Sequence, residues 1–164
     1  MAGVGVMFYV LLATRHVMRV TDDPIRGEPD LSSLLDLVAL GTVADLVPLD
    51  YNNRILVAAG VRRIRQGRVG PGLRALIEKA GKNIKDLTAT DFAFAVAPRL
   101  NAAGRMEDMA IGITLLTSDD PQQIMQYVDM LEDINNTRKD RQQEMIQDAE
   151  QLLTNLPSRS GLPI

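Results

Sequence analysis

An aspartate within an apolar run is the residue of this chain best suited to metal chemistry. Asp45 lies in residues 37–49, where the only other polar side chain is Thr42. A buried carboxylate is costly unless it finds a cation, hydrogen-bond donors or a shifted pKa. Carboxylate oxygens are suitable ligands for Mg²⁺ and Mn²⁺. Spacing alone favours a simpler role, in which Asp45 caps a helix or closes a turn near Gly41 and Thr42.

A second group of polar residues could bind phosphate. Arg99, Asn101 and Arg105 lie among small residues at positions 98–106, and small residues permit close backbone approach. The planar guanidinium of arginine matches two phosphate oxygens at once. In a helix Asn101 and Arg105 share one face, whereas Gly104 is equally compatible with a loop. Taken alone, the segment is more typical of a helix end with solvated arginines.

Residue counts exclude several kinds of site. The chain of 164 residues contains no cysteine, so it has no disulfide, zinc–thiolate site or thiol nucleophile. His16 is the only histidine, which excludes a metal site built on two imidazoles within this chain. Ser32 and Ser33 have no local base partner, so a nucleophilic triad is not supported. The length corresponds to one domain with a real core.

Charge is unevenly distributed, although the net charge is only −3. Nine basic and two acidic residues lie between positions 51 and 87, and eleven acidic and three basic residues lie between positions 106 and 156. The basic segment could steer a polyanion onto one face of the protein. The simpler interpretation is that arginine and lysine solvate the outer sides of two helices.

Most of the sequence around these residues has helical periodicity. It therefore predicts a mainly α protein. Caps, prolines and glycines set the expected limits. We expect the following helices: residues 4–17; a short one from Leu31 or Ser32; one capped by Asn52 or Asn53 and ended by Gly67; one from Pro71 to Gly81; one capped by Thr88 or Thr90 and broken by Pro98; and residues 106–117.

The last predicted helix is unusually long. Asp119, Asp120 and Pro121 form a strong start signal, and no glycine or proline follows before position 157. At ~1.5 Å per residue, a helix to Leu156 is about 50 Å long. Two apolar stripes flank the wholly polar residues 135–144. Such a helix indicates a bridge between two globular parts.

Four stretches have a distinctive order and spacing: Ala-Gly-Val-Gly-Val at residues 2–6, Leu-Asp-Leu-Val-Ala-Leu-Gly-Thr-Val-Ala-Asp at 35–45, Asn-Arg at 53–54, and Pro-Arg-Leu-Asn-Ala-Ala-Gly-Arg-Met at 98–106. Together they resemble the RecJ-type single-strand DNA exonucleases of the DHH phosphoesterase superfamily. The Gly-Thr-Val-Ala-Asp and Arg-Leu-Asn-Ala-Ala-Gly-Arg stretches are specific in combination. The resemblance extends from about residue 2 to about residue 156.

The resemblance implies a domain organisation as well as an activity. Residues 1–118 resemble the C-terminal half of an α/β DHH phosphoesterase domain, residues 119–157 resemble a long connector helix toward an absent DHH-associated domain, and residues 158–164 are unassigned. The implied activity is manganese- or magnesium-dependent hydrolysis of single-stranded DNA from its 5′ end, in repair and recombination. Single-stranded DNA is the implied partner, together with a single-strand-binding protein and a recombination helicase as in the family.

The resemblance also implies roles for individual residues. Asp45 matches the aspartate of the family's fourth motif, which is a metal ligand. Arg99, Asn101 and Arg105 match a region expected near the substrate phosphates. In the family's scheme a metal-bound hydroxide attacks phosphorus, while the ions stabilise the developing oxygen charge.

Several family motifs are absent. The chain has neither the Asp-x-Asp of the first motif nor the Asp-His-His of the third, and nothing matches the second. The glycine- and histidine-rich motif of the DHH-associated domain is missing too. A two-metal site needs several ligands on each ion, and Asp45 alone cannot supply them. We therefore predict that the chain is a fragment of the enzyme and does not cleave DNA by itself.

An alternative prediction is a non-catalytic helical module that binds nucleic acid or another partner through its basic segment and long helix. Binding should then be sensitive to salt and should weaken when Arg62, Arg63 and Arg65 are neutralised. No secretory signal is recognisable, and no run reaches the roughly 20 apolar residues of a membrane span. The sequence therefore predicts a cytoplasmic location and no membrane partner.

Overall fold

The structure, a computed structural model, describes residues 2–21, 29–106 and 108–154, except for the side chains of residues 105 and 106. Within these residues every regular element is helical and no strand occurs, which confirms the mainly α fold. The α-helices are α1 (Gly3–Val20), α2 (Leu35–Ala44), α3 (Tyr51–Arg65), α4 (Pro71–Lys79), α5 (Ala89–Asp91), α6 (Ala97–Met106), α7 (Ala110–Thr117) and α8 (Pro121–Thr154). The 3₁₀ turns Leu31–Leu34 and Ile84–Asp86 and the π-helix Phe92–Val96 connect them.

Helix α2 packs closely against α3 near the centre of the fold. A side chain on Gly60 of α3 would place its Cβ atom 2.1 Å from the backbone oxygen of Leu35. The same restriction applies to Gly72 of α4, where a Cβ atom would lie 1.9 Å from the backbone oxygen of Leu115 in α7. Because these contacts involve backbone, which cannot move aside as a side chain can, both crossings require glycine.

The first half of α8 covers the core formed by the earlier helices. Ile124, Val128 and Leu131 follow one another at helical spacing and are almost completely buried. They belong to one apolar cluster with fully buried side chains from α3, α4, the π-helix and α7: Ile64, Leu76, Ile77, Phe92 and Leu115. The start of α8 therefore belongs to the same packed body as the basic segment.

Helix α3 begins earlier than the sequence predicted. Its N-cap is Asp50, whose carboxylate accepts a hydrogen bond from the Asn53 backbone N–H at 2.8 Å. The prediction of a cap at Asn52 or Asn53 is therefore wrong. The Asn53 side chain is buried and donates to the Pro48 carbonyl at 2.8 Å, so it fastens the preceding loop instead.

The predicted cap at Thr88 is confirmed, and Thr90 lies inside the helix. Thr88 and Asp91 form a reciprocal capping box. Lys82 also binds the Asp91 carboxylate at 2.8 Å. Hydrogen bonds from Lys82 and Thr88 lower the pKa of Asp91 to about 2. This cluster fixes the start of the segment that leads to α6.

Pro98 does not break the helical path, contrary to the prediction. The backbone widens into the π-helix Phe92–Val96, in which the Ala97 N–H donates to the Phe92 carbonyl five residues back. Pro98 then lies in the first turn of α6, where a backbone N–H would have no partner within the helix. The wider turn thus lets proline enter a continuous helical stretch.

The helix predicted over residues 106–117 is shorter than expected. Helix α6 ends at Met106 and α7 begins at Ala110, whose backbone N–H binds the Asp108 carboxylate at 2.8 Å. The predicted start of the long helix is confirmed, since α8 begins at Pro121. Its described part ends at Thr154, so residues 155–164, with the unassigned tail, lie outside the described residues.

Helix α1 is the predicted apolar helix, but most of it does not pack on the body. Only Gly5 and Phe8 of this helix are buried, and its other residues are exposed or half-buried. By length and composition alone this 18-residue helix could cross a membrane. The expectation that no run is long enough for a span is corrected to this extent.

Candidate functional site

Asp45 caps the carboxyl end of α2. Its backbone N–H donates to the Gly41 carbonyl at 3.1 Å, and the residue is exposed. The structure therefore contains the helix cap that the spacing favoured. The carboxylate at this position is not buried. Because the residue is exposed, its carboxylate can meet an ion from solution.

The described residues do not complete a metal site around Asp45. Within residues 2–21, 29–106 and 108–154, no three side chains of histidine, aspartate or glutamate lie close enough together to hold a metal ion. A two-metal centre needs several ligands for each ion, so the residues present do not fit such a centre. The role of Asp45 as a metal ligand stays a prediction.

The buried carboxylate of this region is Asp36, for which sequence reasoning had given no role. It is 4% exposed. Its two oxygens accept hydrogen bonds from the backbone N–H groups of Leu37, at 2.7 Å, and Gly70, at 3.1 Å. Asp36 therefore ties α2 to the loop before α4. Its apolar neighbours in the sequence were the available signal, but the donor from Gly70 lies 34 residues away.

Arg99 is held between two helices. Its guanidinium binds the Glu132 carboxylate of α8 through two hydrogen bonds, Nε–Oε2 at 2.5 Å and Nη2–Oε1 at 3.1 Å. A third hydrogen bond joins Nη1 to the Ala95 carbonyl. Such a bidentate pair is more specific than a single contact. Arg99 thus fastens α6 to α8, and its predicted contact with substrate stays a prediction.

The other two predicted phosphate ligands lie further along α6. Asn101 is exposed and can reach a ligand from solution. Arg105 belongs to the same helix, but its side chain lies outside the described residues. A helix and a loop were both expected for this segment, and the structure has the helix. Positions 101 and 105 therefore lie on one face.

The arginines of the basic segment face different directions. Arg63 is half-buried and donates from Nη1 to the Ser32 hydroxyl at 3.0 Å. Arg65 donates from Nε to the Leu87 carbonyl at 2.7 Å, on another side of α3. Arg62 is exposed. The charge found in the sequence therefore does not form a single patch.

A groove runs along α3 toward the end of α2. Its larger cavity, of about 500 Å³, lies between Leu49 and Ala89 and is rimmed by three arginines. A second cavity of about 280 Å³ shares Leu49 and Ala89. These two cavities, called the α3 groove below, are lined on the charged side by Arg54, Arg62 and Arg65 and on the apolar side by Leu46 and Phe94. Within the described part of the chain, no acidic residue lines either cavity.

A buried amide lies on α8 where its packing ends. Asn135 is completely buried, yet neither polar atom of its side chain has a hydrogen-bond partner among the described residues. The Nε atom of Arg138, one turn further along, is also buried without a partner. Unsatisfied buried polar groups are destabilising by about 1–3 kcal/mol each. Sequence reasoning had placed both residues in the polar stretch of the helix.

Comparison with known proteins gives the class. No family model matches the chain. Curated relatives are single-stranded-DNA-specific exonucleases: that of Escherichia coli K12 is 47% identical over 167 residues, 99% of this chain, and that of Haemophilus influenzae is 43% identical over 157 residues, 95% of this chain. The chain spans 29% and 27% of the length of these two relatives.

The relatives are RecJ enzymes, and solved structures give the same result. RecJ of Thermus thermophilus in complex with Mg²⁺ has a TM-score of 0.68 at 35% identity, over 74% of this chain and 19% of that chain. The exonuclease RecJ bound to manganese has a TM-score of 0.67 at 35% identity, over 74% of this chain and 31% of that chain. The resemblance to RecJ-type exonucleases is thus confirmed in sequence and in fold, for a segment of those enzymes. Mg²⁺ and Mn²⁺ are thus metals bound by these solved RecJ relatives.

Proposed function

We propose that this chain acts as one segment of a metal-dependent exonuclease that degrades single-stranded DNA from its 5′ end in repair and recombination. The observation that carries this proposal is 47% identity to a RecJ exonuclease over 99% of the chain. A role confined to a segment follows from the same comparison, because the chain spans only 29% of that relative.

The proposed contribution to the metal site is a single ligand. Asp45 is exposed at the end of α2, so residues outside this chain could complete the coordination of Mn²⁺ or Mg²⁺ around it. No group of ligands sufficient for an ion exists within the described residues. The isolated chain is therefore proposed to be inactive as a nuclease.

The proposed substrate contacts come from α6. Asn101 is exposed, and position 105 follows one turn later on the same face, so Asn101 and Arg105 are proposed to bind substrate phosphates. Arg99 is proposed to hold α6 against α8 through Glu132 and the Ala95 carbonyl, and to contact substrate phosphate with the two N–H groups that these hydrogen bonds leave over.

The proposed domain organisation places residues 1–118 in a catalytic domain and residues 119–157 in a connector helix. The packed first half and bare second half of α8 support a connector. In the complete enzyme the exposed side of α1 is proposed to pack against other parts of the catalytic domain, in the cytoplasm. Single-stranded DNA is the proposed partner, with a single-strand-binding protein and a recombination helicase as in the family.

The test is to replace the matching segment of the E. coli RecJ exonuclease by residues 2–154 of this chain. We expect the grafted enzyme to degrade 5′-labelled single-stranded DNA with Mn²⁺, and Asp45→Asn to reduce the rate by at least about a hundredfold, since a lost ligand removes metal-dependent charge stabilisation. The isolated chain should release no nucleotides under the same conditions.

The matched control is Asp86→Asn, which removes an exposed carboxylate of the same segment from a 3₁₀ turn. This variant should retain the rate of the grafted enzyme. Equal rates for Asp45→Asn and Asp86→Asn would remove Asp45 from the metal site. Mn²⁺-dependent hydrolysis by the isolated chain would contradict its proposed inactivity.

A second candidate function, a nucleic-acid-binding module, is favoured by the arginine rim of the α3 groove. The geometry divides the three arginines first considered for this role. Arg62 and Arg65 line the groove, whereas Arg63 is bound to Ser32 elsewhere. Arg62→Gln should therefore weaken binding of the isolated chain to oligonucleotides at low salt, and Arg63→Gln should affect folding stability instead. The measurements are fluorescence anisotropy and urea unfolding.

A further inference from the structure

We propose that the α3 groove is a track for single-stranded DNA, in which Phe94 stacks on a base while Arg54 and Arg62 neutralise phosphates. This inference rests on the proposed function for the identity of the polyanion, and it adds a place for the DNA and a role for Phe94, which none of the motifs indicated. It is carried by the adjacency of the two cavities, the charge of the groove, an exposed aromatic ring and lining residues that flank Asp45 in the sequence.

The two cavities share lining residues. Leu49 and Ala89 line both cavities, so the two cavities adjoin and a strand that lies in the larger one would extend toward the smaller one. The floor of the larger cavity is apolar, with Val57 and Val61 of α3. An apolar floor suits the faces of unpaired bases, which stack without sequence preference.

The charged side chains that line the groove among the described residues are all basic. Arg54, Arg62 and Arg65 line the larger cavity, and no acidic side chain lines either cavity within the described residues. Arg65 is fixed in place by the Leu87 carbonyl, whereas Arg54 and Arg62 are exposed along α3. Positions 54, 58, 61, 62 and 65 recur at helical spacing, so the cations border one side of the helix. A phosphodiester backbone is complementary to this row.

Phe94 is unusual among the phenylalanines of this chain. Phe8 and Phe92 are 6% and 0% exposed, whereas Phe94 is 81% exposed and lines the smaller cavity. It lies in the π-helix Phe92–Val96, a conformation that occurs often at functional sites. An aromatic ring presented to solvent is the usual platform for a base of single-stranded nucleic acid, and the arginines of the adjoining cavity would bind the phosphates on either side.

The groove leads toward the predicted metal ligand. Its smaller cavity is lined by Val43 and Leu46, which flank the end of α2 where Asp45 lies. Leu46 adopts a positive φ of 52°, which is rare for a residue with a branched side chain and turns the chain sharply after Asp45. DNA in the groove would therefore approach the carboxylate from the side of Phe94.

The first experiment uses the absence of tryptophan from this sequence. Phe94→Trp introduces a single fluorophore in the groove. Its matched control is Tyr51→Trp, because Tyr51 is an aromatic residue with the same 81% exposure that does not line the groove. We expect an oligothymidylate to quench the fluorescence of the Phe94→Trp variant by base stacking, and to leave that of the Tyr51→Trp variant unchanged.

The second experiment measures affinity and its dependence on salt by fluorescence anisotropy. Phe94→Ala should weaken binding by about fivefold or more, the effect of losing one stacked base. Arg54→Gln and Arg62→Gln should each lower the slope of log K against log salt by about 0.7, the value for one contact with a single-strand phosphate. The charge-matched control, Arg68→Gln, removes an exposed arginine outside the groove and should leave the slope unchanged.

The possible outcomes are distinct. Quenching limited to Phe94→Trp, with slope changes limited to Arg54→Gln and Arg62→Gln, supports the track. DNA binding with equal effects in the control variants overturns it and leaves the exonuclease proposal intact, since that proposal is tested by activity of the grafted enzyme. Absence of binding at low salt by a chain that circular dichroism finds folded also overturns it. The same holds if poly-glutamate quenches as strongly as DNA, or if quenching depends on protein concentration alone.

Discussion

The two halves of α8 have similar helical backbones and very different surroundings. Between Pro121 and Asn135 the helix has four buried positions, one on almost every turn, whereas residues 139–154 are all exposed. The bare half still carries large apolar side chains, among them Met145 and Leu152, which are 72% and 70% exposed. Hydrophobic spacing along a helix therefore indicates a face that could be buried, while only the rest of the fold decides whether it is.

The continuity of the helix has a separate cause. Once the packed half is fixed, each further residue adds a backbone hydrogen bond without a new nucleation step. The absence of glycine and proline from residues 122–154 allows this propagation. Length is therefore a local property of the sequence, whereas burial depends on distant residues.

The two halves of α8 should differ most in how far a leucine-to-alanine substitution lowers the free energy of unfolding. Leu131→Ala removes a completely buried side chain and should lower the free energy of unfolding by about 2–5 kcal/mol, because it leaves a cavity. Leu152→Ala makes the same chemical change at a side chain that is 70% exposed and should change it by less than about 0.5 kcal/mol. Urea unfolding followed by circular dichroism measures both. Similar losses in the two variants would mean that the second half is packed in solution.

A smaller effect is expected where α6 is fastened to α8. Glu132→Gln removes the charge that pairs with Arg99, whose side chain is only 11% exposed, and should destabilise the protein by about 1–3 kcal/mol. Its control is Asp129→Asn, which breaks the exposed pair between Lys79 and Asp129 on the same helix. Exposed pairs are screened by solvent, so the control should lose much less. An equal loss in both variants would contradict the structural role given to Arg99.

Asn135 marks the boundary between the halves, and its replacement should stabilise the protein. Asn135→Leu has a similar volume and removes two buried polar atoms that lack partners in the described structure. We expect the free energy of unfolding to rise by about 1 kcal/mol. Asn136→Leu, at the exposed neighbouring position, is the control and should have little effect. A loss of stability in Asn135→Leu alone would indicate that the amide has a partner in solution.

The smallest expected effect is on stability at low pH, and it arises from a residue of the packed body. The pKa of Asp91 is about 2 in the folded protein, below the ordinary value of 3.8. A lowered pKa stabilises the folded state above the ordinary value, and this contribution is lost as the pH falls from about 4 through about 2. Asp91→Asn should therefore flatten the dependence of the melting temperature on pH in that window. Unchanged steepness there would assign the acid sensitivity to other carboxylates.

Elements marked by local signals could be predicted from the sequence. Pro71 and Gly81 bound α4 because proline suits a first helical turn and Gly81 adopts a φ of +72° just after the helix. The start of α8 follows from Asp120 and Pro121 in the same way. The short-range spacing around Gly41 favours a helix cap or a turn at Asp45, and the structure contains the cap.

Features that depend on distant partners could not be predicted. Arg99 pairs with Glu132, 33 residues away, and Asp36 binds the backbone of Gly70, 34 residues away. The sequence next to Arg99 and Asp36 gives no signal for such contacts. The π-helix before Pro98 could not be predicted for another reason: its i→i+5 hydrogen bonds leave no compositional signal, so a proline in an apolar run predicts a break.

The bare half of α8 gives the molecule a mechanical property. From residue 139 to Thr154 the helix projects by roughly 22 Å at ~1.5 Å per residue, and each of these residues is exposed. Such an arm is a lever whose fulcrum lies at the last packed turn. Tilting it by about 10° at that turn would move its tip by about 4 Å on the same helical dimensions. A small change of angle at the last packed turn therefore becomes a larger displacement at the far end of the arm.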